Sequence, residues 1–151
     1  MIAWLKSLLK VQYQNPIIEQ NLVQEEGIIL SVYKDSKGLE TIGIGTCIAP
    51  GIGRITLDEA YYLLRNRIAL AFEQLNDLDW FKSLDQPRQN VLIEMVFNLG
   101  FDGTMKFKDM ISAIKGRDFR GASIAMVKSQ WFNEEPARVN RLAERMWHGS
   151  D

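Results

Sequence analysis

Apolar residues recur along this chain at two periods, and the change from one to the other marks its parts. In residues 2–13, Ile2, Leu5, Leu8, Leu9 and Tyr13 fall at roughly helical spacing with Lys6 and Lys10 between them. That is an amphipathic helix, suited to pack on the body of the protein or to rest on a membrane surface. Asn15-Pro16 then reads as a helix cap with proline in the first turn. The helix that follows directs Ile18, Leu22 and Val23 inward and stops at Gly27, a residue suited to a left-handed cap, so Glu26 is its last residue. From Ile28 the pattern turns to β: a strand over 28–34, a turn at Asp35-Ser36-Lys37-Gly38, and a strand over 39–44. Gly43, Gly45, Pro50, Gly51 and Gly53 predict a loop.

Helical spacing returns at Thr56-Leu57-Asp58-Glu59, a capping box. It opens a helix to about Leu75 whose apolar face is Leu63, Leu64, Ile68 and Phe72. Later helices are predicted over 86–99, capped by Asp85 and closed by Gly100, and over 107–115, closed by Gly116. Two more run from Asp118 to about Lys128 and from near Pro136 to just before Gly149. The fold class is α+β. Residues 1–15 form an N-terminal extension, 16–56 a small lobe with a β-hairpin, 57–75 a connecting helix, and 76–151 a larger helical lobe.

A chain of 151 residues buries roughly two-thirds of its unfolded surface, enough for one domain or two lobes. Its net charge of −1 excludes general nucleic-acid binding, which needs a basic face. The charge is uneven, with nine Lys or Arg against five Asp or Glu between Lys106 and Arg145. That surplus suits an anionic polymer such as a cell wall, although a solvated helical face explains it as well. Cys47 is the one cysteine and His148 the one histidine, so no disulfide, zinc site or cofactor is expected. Cys47 reads as a small packing residue, and Trp131 and Trp147 as helical core residues. No stretch has the length of a membrane span. Lysines interrupt the N-terminus and no small-residue cleavage site follows it, so no cleavable signal peptide is expected.

The candidate chemistry lies in residues 26–41, where Glu26, Asp35 and Thr41 would share one rim of a cleft. Two carboxylates in unlike environments are the usual equipment for cleaving a glycosidic bond. Glu26 at a helix C-terminus feels the negative end of the macrodipole, but that effect is only about 0.3–1 kcal/mol. One pKa unit requires about 1.4 kcal/mol, so partial burial would have to supply most of what a proton donor needs. Asp35 opens the turn, where solvent and turn amides keep it ionised, and Thr41 could hold a water for attack on the opposite face. Each placement is also an ordinary one for its residue type, so spacing alone leaves the catalytic and the merely structural readings open.

The stretch from Glu26 through Ile42-Gly43-Ile44-Gly45 resembles the phage T4-type lysozymes, muramidases of glycoside hydrolase family 24. Ile55-Thr56-Leu57-Asp58-Glu59-Ala60 resembles the start of that family's interlobe helix, and Met95-Val96-Phe97-Asn98-Leu99-Gly100 its central helix in the larger lobe. Lys128-Ser129-Gln130-Trp131-Phe132-Asn133 and Pro136-Ala137-Arg138 are similar to its late motif. The resemblance implies a lysozyme-like fold and an endolysin that hydrolyses the β-1,4 bond between N-acetylmuramic acid and N-acetylglucosamine in peptidoglycan. It implies Glu26 as proton donor, with Asp35 and Thr41 placing or activating water; a nucleophilic Asp35 stays open. It also implies Phe97 as a sugar contact and Arg138 as a cation acting on Glu26.

Departures from the family pattern fall mainly on the binding positions. Thr46 stands where a histidine is usual, Cys47 where a leucine lines the cleft, and Met110 and Ala125 where a serine and an asparagine contact substrate. The span from Thr41 to Thr56 is short, which predicts a reduced lip. A lytic transglycosylase, a weakened wall-binding or tail module and a helical interaction protein are the competing readings. The expected partner is the peptidoglycan glycan strand, with the protein a monomer that accumulates in the host cytoplasm and acts on the wall after release.

Overall fold

The computed structural model describes residues 16–150. The helix expected over 2–13 and the cap at Asn15 lie outside the described residues. The chain divides into two compact units, Met1–Tyr62 and Leu63–Asp151.

In the first unit, α1 (Pro16–Glu26) ends where Gly27 takes φ +70° and its N–H donates to Val23 C=O at 2.9 Å. Glu26 is therefore the last helical residue, as the sequence predicts. Three antiparallel strands follow in the order β1 (Ile29–Lys34), β2 (Glu40–Gly43), β3 (Thr46–Cys47). Thr41 sits opposite Tyr33 on one side and Cys47 on the other, and the β1–β2 register shifts between Ile29 and Tyr33. The third strand departs from the expectation of a loop. Gly43 and Gly45, at φ +71° and +68°, turn the chain through three residues and bring Thr46–Cys47 back along β2. Alternate glycines read as flexibility in one dimension, whereas here they make a hairpin.

Ile18 and Leu22 were expected to point inward, yet they are about half exposed and α1 contains no buried residue. Among the described residues of this unit only Thr41 and Ala49 are buried. Among the described residues, a helix and a short sheet have too little surface to cover each other.

Helix α2 (Leu57–Asn76) crosses the division between the units. Its start is the predicted capping box: Thr56 N–H donates to Glu59 Oε2 at 2.7 Å, and Glu59 N–H donates back to Thr56 Oγ1 at 3.2 Å. The expected apolar face is corrected, because Leu63, Leu64, Ile68 and Phe72 all remain substantially exposed. Burial falls on Ala71 and Leu75 at the C-terminal end, where the second unit begins to enclose the helix.

That unit holds the core. Its helices are α3 (Asp79–Lys82), α4 (Gln86–Met105), α5 (Lys108–Lys115), α6 (Phe119–Val127), α7 (Gln130–Glu134) and α8 (Pro136–His148). The short α3 and α7 escaped the sequence reading, since four or five residues carry no period. Gly100, at φ +75°, interrupts α4 where a helix end is predicted, and Phe101–Met105 resume beyond the break. Met95, Met110, Met126 and Met146 are fully buried alongside Phe81, Leu92 and Val139. Unbranched methionine suits the irregular gaps between short helices. Trp131 is buried as expected, but Trp147 is 40% exposed, stacking on His148 with Arg120 over its ring. Position 147 lies in the last turn of α8, on a side that the buried residues Val139, Leu142, Ala143 and Met146 of that helix do not share.

Arg88 closes this core. Nε donates to Met146 C=O and Nη2 to Trp147 C=O, each at 2.7 Å, while Nη1 pairs with Asp85 and the guanidinium lies over the Phe119 ring. It thereby satisfies the last carbonyls of α8, which no backbone N–H can reach.

Candidate active site

Glu26, Asp35 and Thr41 all lie in the first unit, at a helix end, a turn and a strand. Asp35 organises the turn. Its Oδ1 accepts the N–H groups of Lys37 and Leu39, both at 2.8 Å, and its C=O accepts Gly38 N–H at 2.9 Å. The Leu39 C=O in turn accepts Asp35 N–H and the Thr41 hydroxyl, each at 3.0 Å. One peptide, Leu39, thus ties Asp35 to Thr41 from both of its polar ends. Among the described residues Asp35 Oδ2 has no hydrogen-bond partner, so one carboxylate oxygen is structural and the other is open to a ligand. Thr41 is buried and its hydroxyl proton is committed to Leu39, which leaves the oxygen as an acceptor.

Glu26 is exposed at the end of α1. The β2–β3 turn approaches it closely: a Cβ on Gly45 would stand 3.0 Å from Glu26 Oε2 and 3.1 Å from Cδ. Gly45 thus provides both the positive φ of the turn and the space for the carboxylate. Sequence reasoning missed it as a site residue; the signal was an alternate-glycine pair directly after Thr41. The carboxylate thereby acquires a neighbour some 20 residues on in the chain, and the same sheet carries Thr41. Cys47, free and half-buried, faces Thr41 across the β2–β3 pair.

The other candidates lie in the second unit. Phe97 on α4 is 52% exposed, as a surface contact must be. Met110 and Ala125 meet in one groove, where Met110, with no exposed surface, is floor. Arg138 pairs with Glu135 at 2.8 Å, and Asn98 Nδ2 donates to the other oxygen of Glu135 at 3.4 Å. Its neighbour in the second unit is thus Glu135, a partner the sequence reading did not name. Among the described residues no three His, Cys, Asp or Glu side chains are grouped to hold a metal ion, and no helix is long and apolar enough to cross a membrane.

A three-stranded antiparallel sheet beside a helix end, followed by a helical unit, is the lysozyme-like α+β arrangement, and the sequence bears out that class. Residues 23–146 match the phage lysozyme family. The chain is 28% identical to probable T4-type lysozyme 1 of Dictyostelium discoideum over 83% of its own length and 90% of that protein, and 26% identical to probable T4-type lysozyme 2 of the same organism, with the same coverage. It is also 27% identical to the pre-baseplate central spike protein Gp5 of Enterobacteria phage T4, over 85% of this chain but 27% of that longer protein. The protein is a glycoside hydrolase of the lysozyme type. More particularly, it belongs to the phage lysozyme family.

Proposed function

We propose that the protein hydrolyses the β-1,4 bond between N-acetylmuramic acid and N-acetylglucosamine in peptidoglycan. Glu26 gives its proton to the glycosidic oxygen as the bond to the anomeric carbon breaks. A water held between Asp35 Oδ2 and Thr41 Oγ1 attacks that carbon from the opposite face and passes its proton to Asp35, the inverting route. The observation that carries this reading is the Leu39 peptide, which fixes Asp35 and Thr41 as one unit and leaves each with a free acceptor. A water held by two acceptors spends its protons on them and keeps a lone pair for the sugar. Glu26 is exposed in its own unit, so dehydration of the donor falls to the bound glycan. Phe97, Cys47 and Ala125 as sugar contacts complete the proposal, while Met110, with no exposed surface, supports its groove from beneath. The protein works as a monomer.

Clearing of permeabilised Gram-negative cells by the parent and by Glu26→Gln tests the acid. The variant is expected to lose at least about 10²-fold in rate with an unchanged circular dichroism spectrum. Retained clearing removes Glu26 from the mechanism. Mass analysis of the digest separates hydrolysis from transglycosylation, since anhydro-muropeptides in place of hydrated ends overturn the water route. The likeness to a baseplate spike protein favours a second setting for the same chemistry, a lysozyme module carried on a phage tail. Association of the chain with tail assemblies tests it.

A further inference from the structure

A second groove in the helical unit, about 420 Å³ in volume, has apolar walls of Leu78, Trp80, Met105 and Ile111. All four are half-buried and pack against the core, so the groove floor is continuous with it. Leu78 and Trp80 stand at the start of α3, Met105 at the end of α4 and Ile111 on α5. The polar lining comes from α5 alone: Lys108, Ser112 and Lys115, all exposed, with no carboxylate among them. Of these residues only Lys108 also borders the groove of Met110 and Ala125. What marks the place is apolar surface left open in a concavity with a tryptophan wall, the usual form of an energetic hot spot.

The charges select the occupant. Residues 108, 111, 112 and 115 are spaced i, i+3, i+4 and i+7, so they share one face of α5. At roughly 1.5 Å per residue the two lysine positions stand about 10 Å apart along the helix axis, one at each end of the apolar stretch. A fatty acid or phospholipid has its anionic group at one end and leaves the other ammonium unanswered. A flat bilayer meets the exposed ammonium groups before the half-buried walls. A helix with acids seven residues apart, and apolar side chains three and four residues after the first, repeats the α5 spacing with the opposite charge. We infer that this groove docks an acidic amphipathic helix of a partner protein, laid along α5 with its apolar side chains against Trp80 and Ile111 and an acid near each lysine. This docking does not depend on the hydrolytic chemistry.

The probe is a fluorescein-labelled peptide of about 20 residues, long enough to hold a helix by itself. It carries two glutamates seven residues apart, with leucines three and four residues after the first. A comparator of the same composition has both glutamates moved to the opposite face. By fluorescence anisotropy the full chain binds the first peptide about tenfold tighter, a few-fold for each exposed pair, and the difference shrinks as salt is added. The variant K108E/K115E reverses the preference: it loses the glutamate peptide and binds its lysine counterpart, a swap that also shows the variant folded. Trp80→Ala weakens the glutamate peptide by about tenfold through lost apolar contact. Equal binding of peptide and comparator by the parent overturns the inference, whether or not the variants fold. Retention of the glutamate peptide by K108E/K115E with an unchanged circular dichroism spectrum overturns it too. Tighter binding of laurate or of phosphatidylglycerol vesicles than of the peptide also overturns it and gives the groove to lipid.

Discussion

Gly45 offers the sharpest check on the site, because its two roles can be separated with a neighbour. At φ +68° an alanine there adopts a left-handed backbone, which costs about 1–2 kcal/mol. Its methyl carbon would also meet Glu26 Oε2 at 3.0 Å, Cδ at 3.1 Å and Cγ at 3.3 Å, so the carboxylate must retreat by a few tenths of an ångström. Gly43 has nearly the same φ, +71°, but a Cβ there meets nothing within 4 Å. Gly45→Ala and Gly43→Ala therefore share the backbone penalty and differ in the push on Glu26. Both variants should lower the melting temperature, by about 2–4 °C for each kcal/mol in a chain of this size. Only Gly45→Ala should lose kcat beyond that. A misplacement of 1 Å costs on the order of 10²-fold, so a smaller one at a flexible glutamate should cost about tenfold, near 1.4 kcal/mol of barrier. Turbidity clearing and thermal unfolding measured on the same two proteins give both quantities. Equal activity in the two variants, at equal stability, refutes the claim that Gly45 positions the acid.

Three further outcomes are expected. Asp35→Asn keeps an oxygen for the Lys37 and Leu39 amides, so the turn should survive while clearing falls by about 10²–10⁴; full activity would deny Asp35 its part in handling the water. Arg88→Ala strips two charged hydrogen bonds from the end of α8 and should cost about 2–4 kcal/mol in urea unfolding, and Arg88→Lys should recover little, because one ammonium does not span both carbonyls. In the capping box, the Thr56 amide and then its hydroxyl hold the Glu59 carboxyl below its usual 4.5. A depressed carboxyl stabilises the fold above the unfolded value and ceases to do so as pH falls through the folded one. The gap in melting temperature between the parent and Glu59→Ala should therefore be full at neutral pH and close in acid. A gap that persists at low pH would show that Glu59 acts through something other than its charge.

What the sequence determined by itself is local. The left-handed cap at Gly27, the box at Thr56-Glu59, the Asp85 and Asp118 caps and the break at Gly100 are each set by a few adjacent residues, and each stands where the chain predicts. The Asp35–Gly38 turn belongs with them, and so does the family, since ordered motifs survive at 26–28% identity. Tertiary structure decided which apolar residues disappear from solvent. Leu63, Leu64, Ile68 and Phe72 have the period of a buried face and stay exposed, while Ala71 and Leu75 are enclosed, because period says which residues share a face and not what covers it. It also decided the contacts that bridge distant segments. Gly45 against Glu26, Arg88 at the carbonyls of Met146 and Trp147, and Trp80, Met105 and Ile111 around one groove depend on chain reversals, and no window of neighbouring residues encodes where a reversed chain returns.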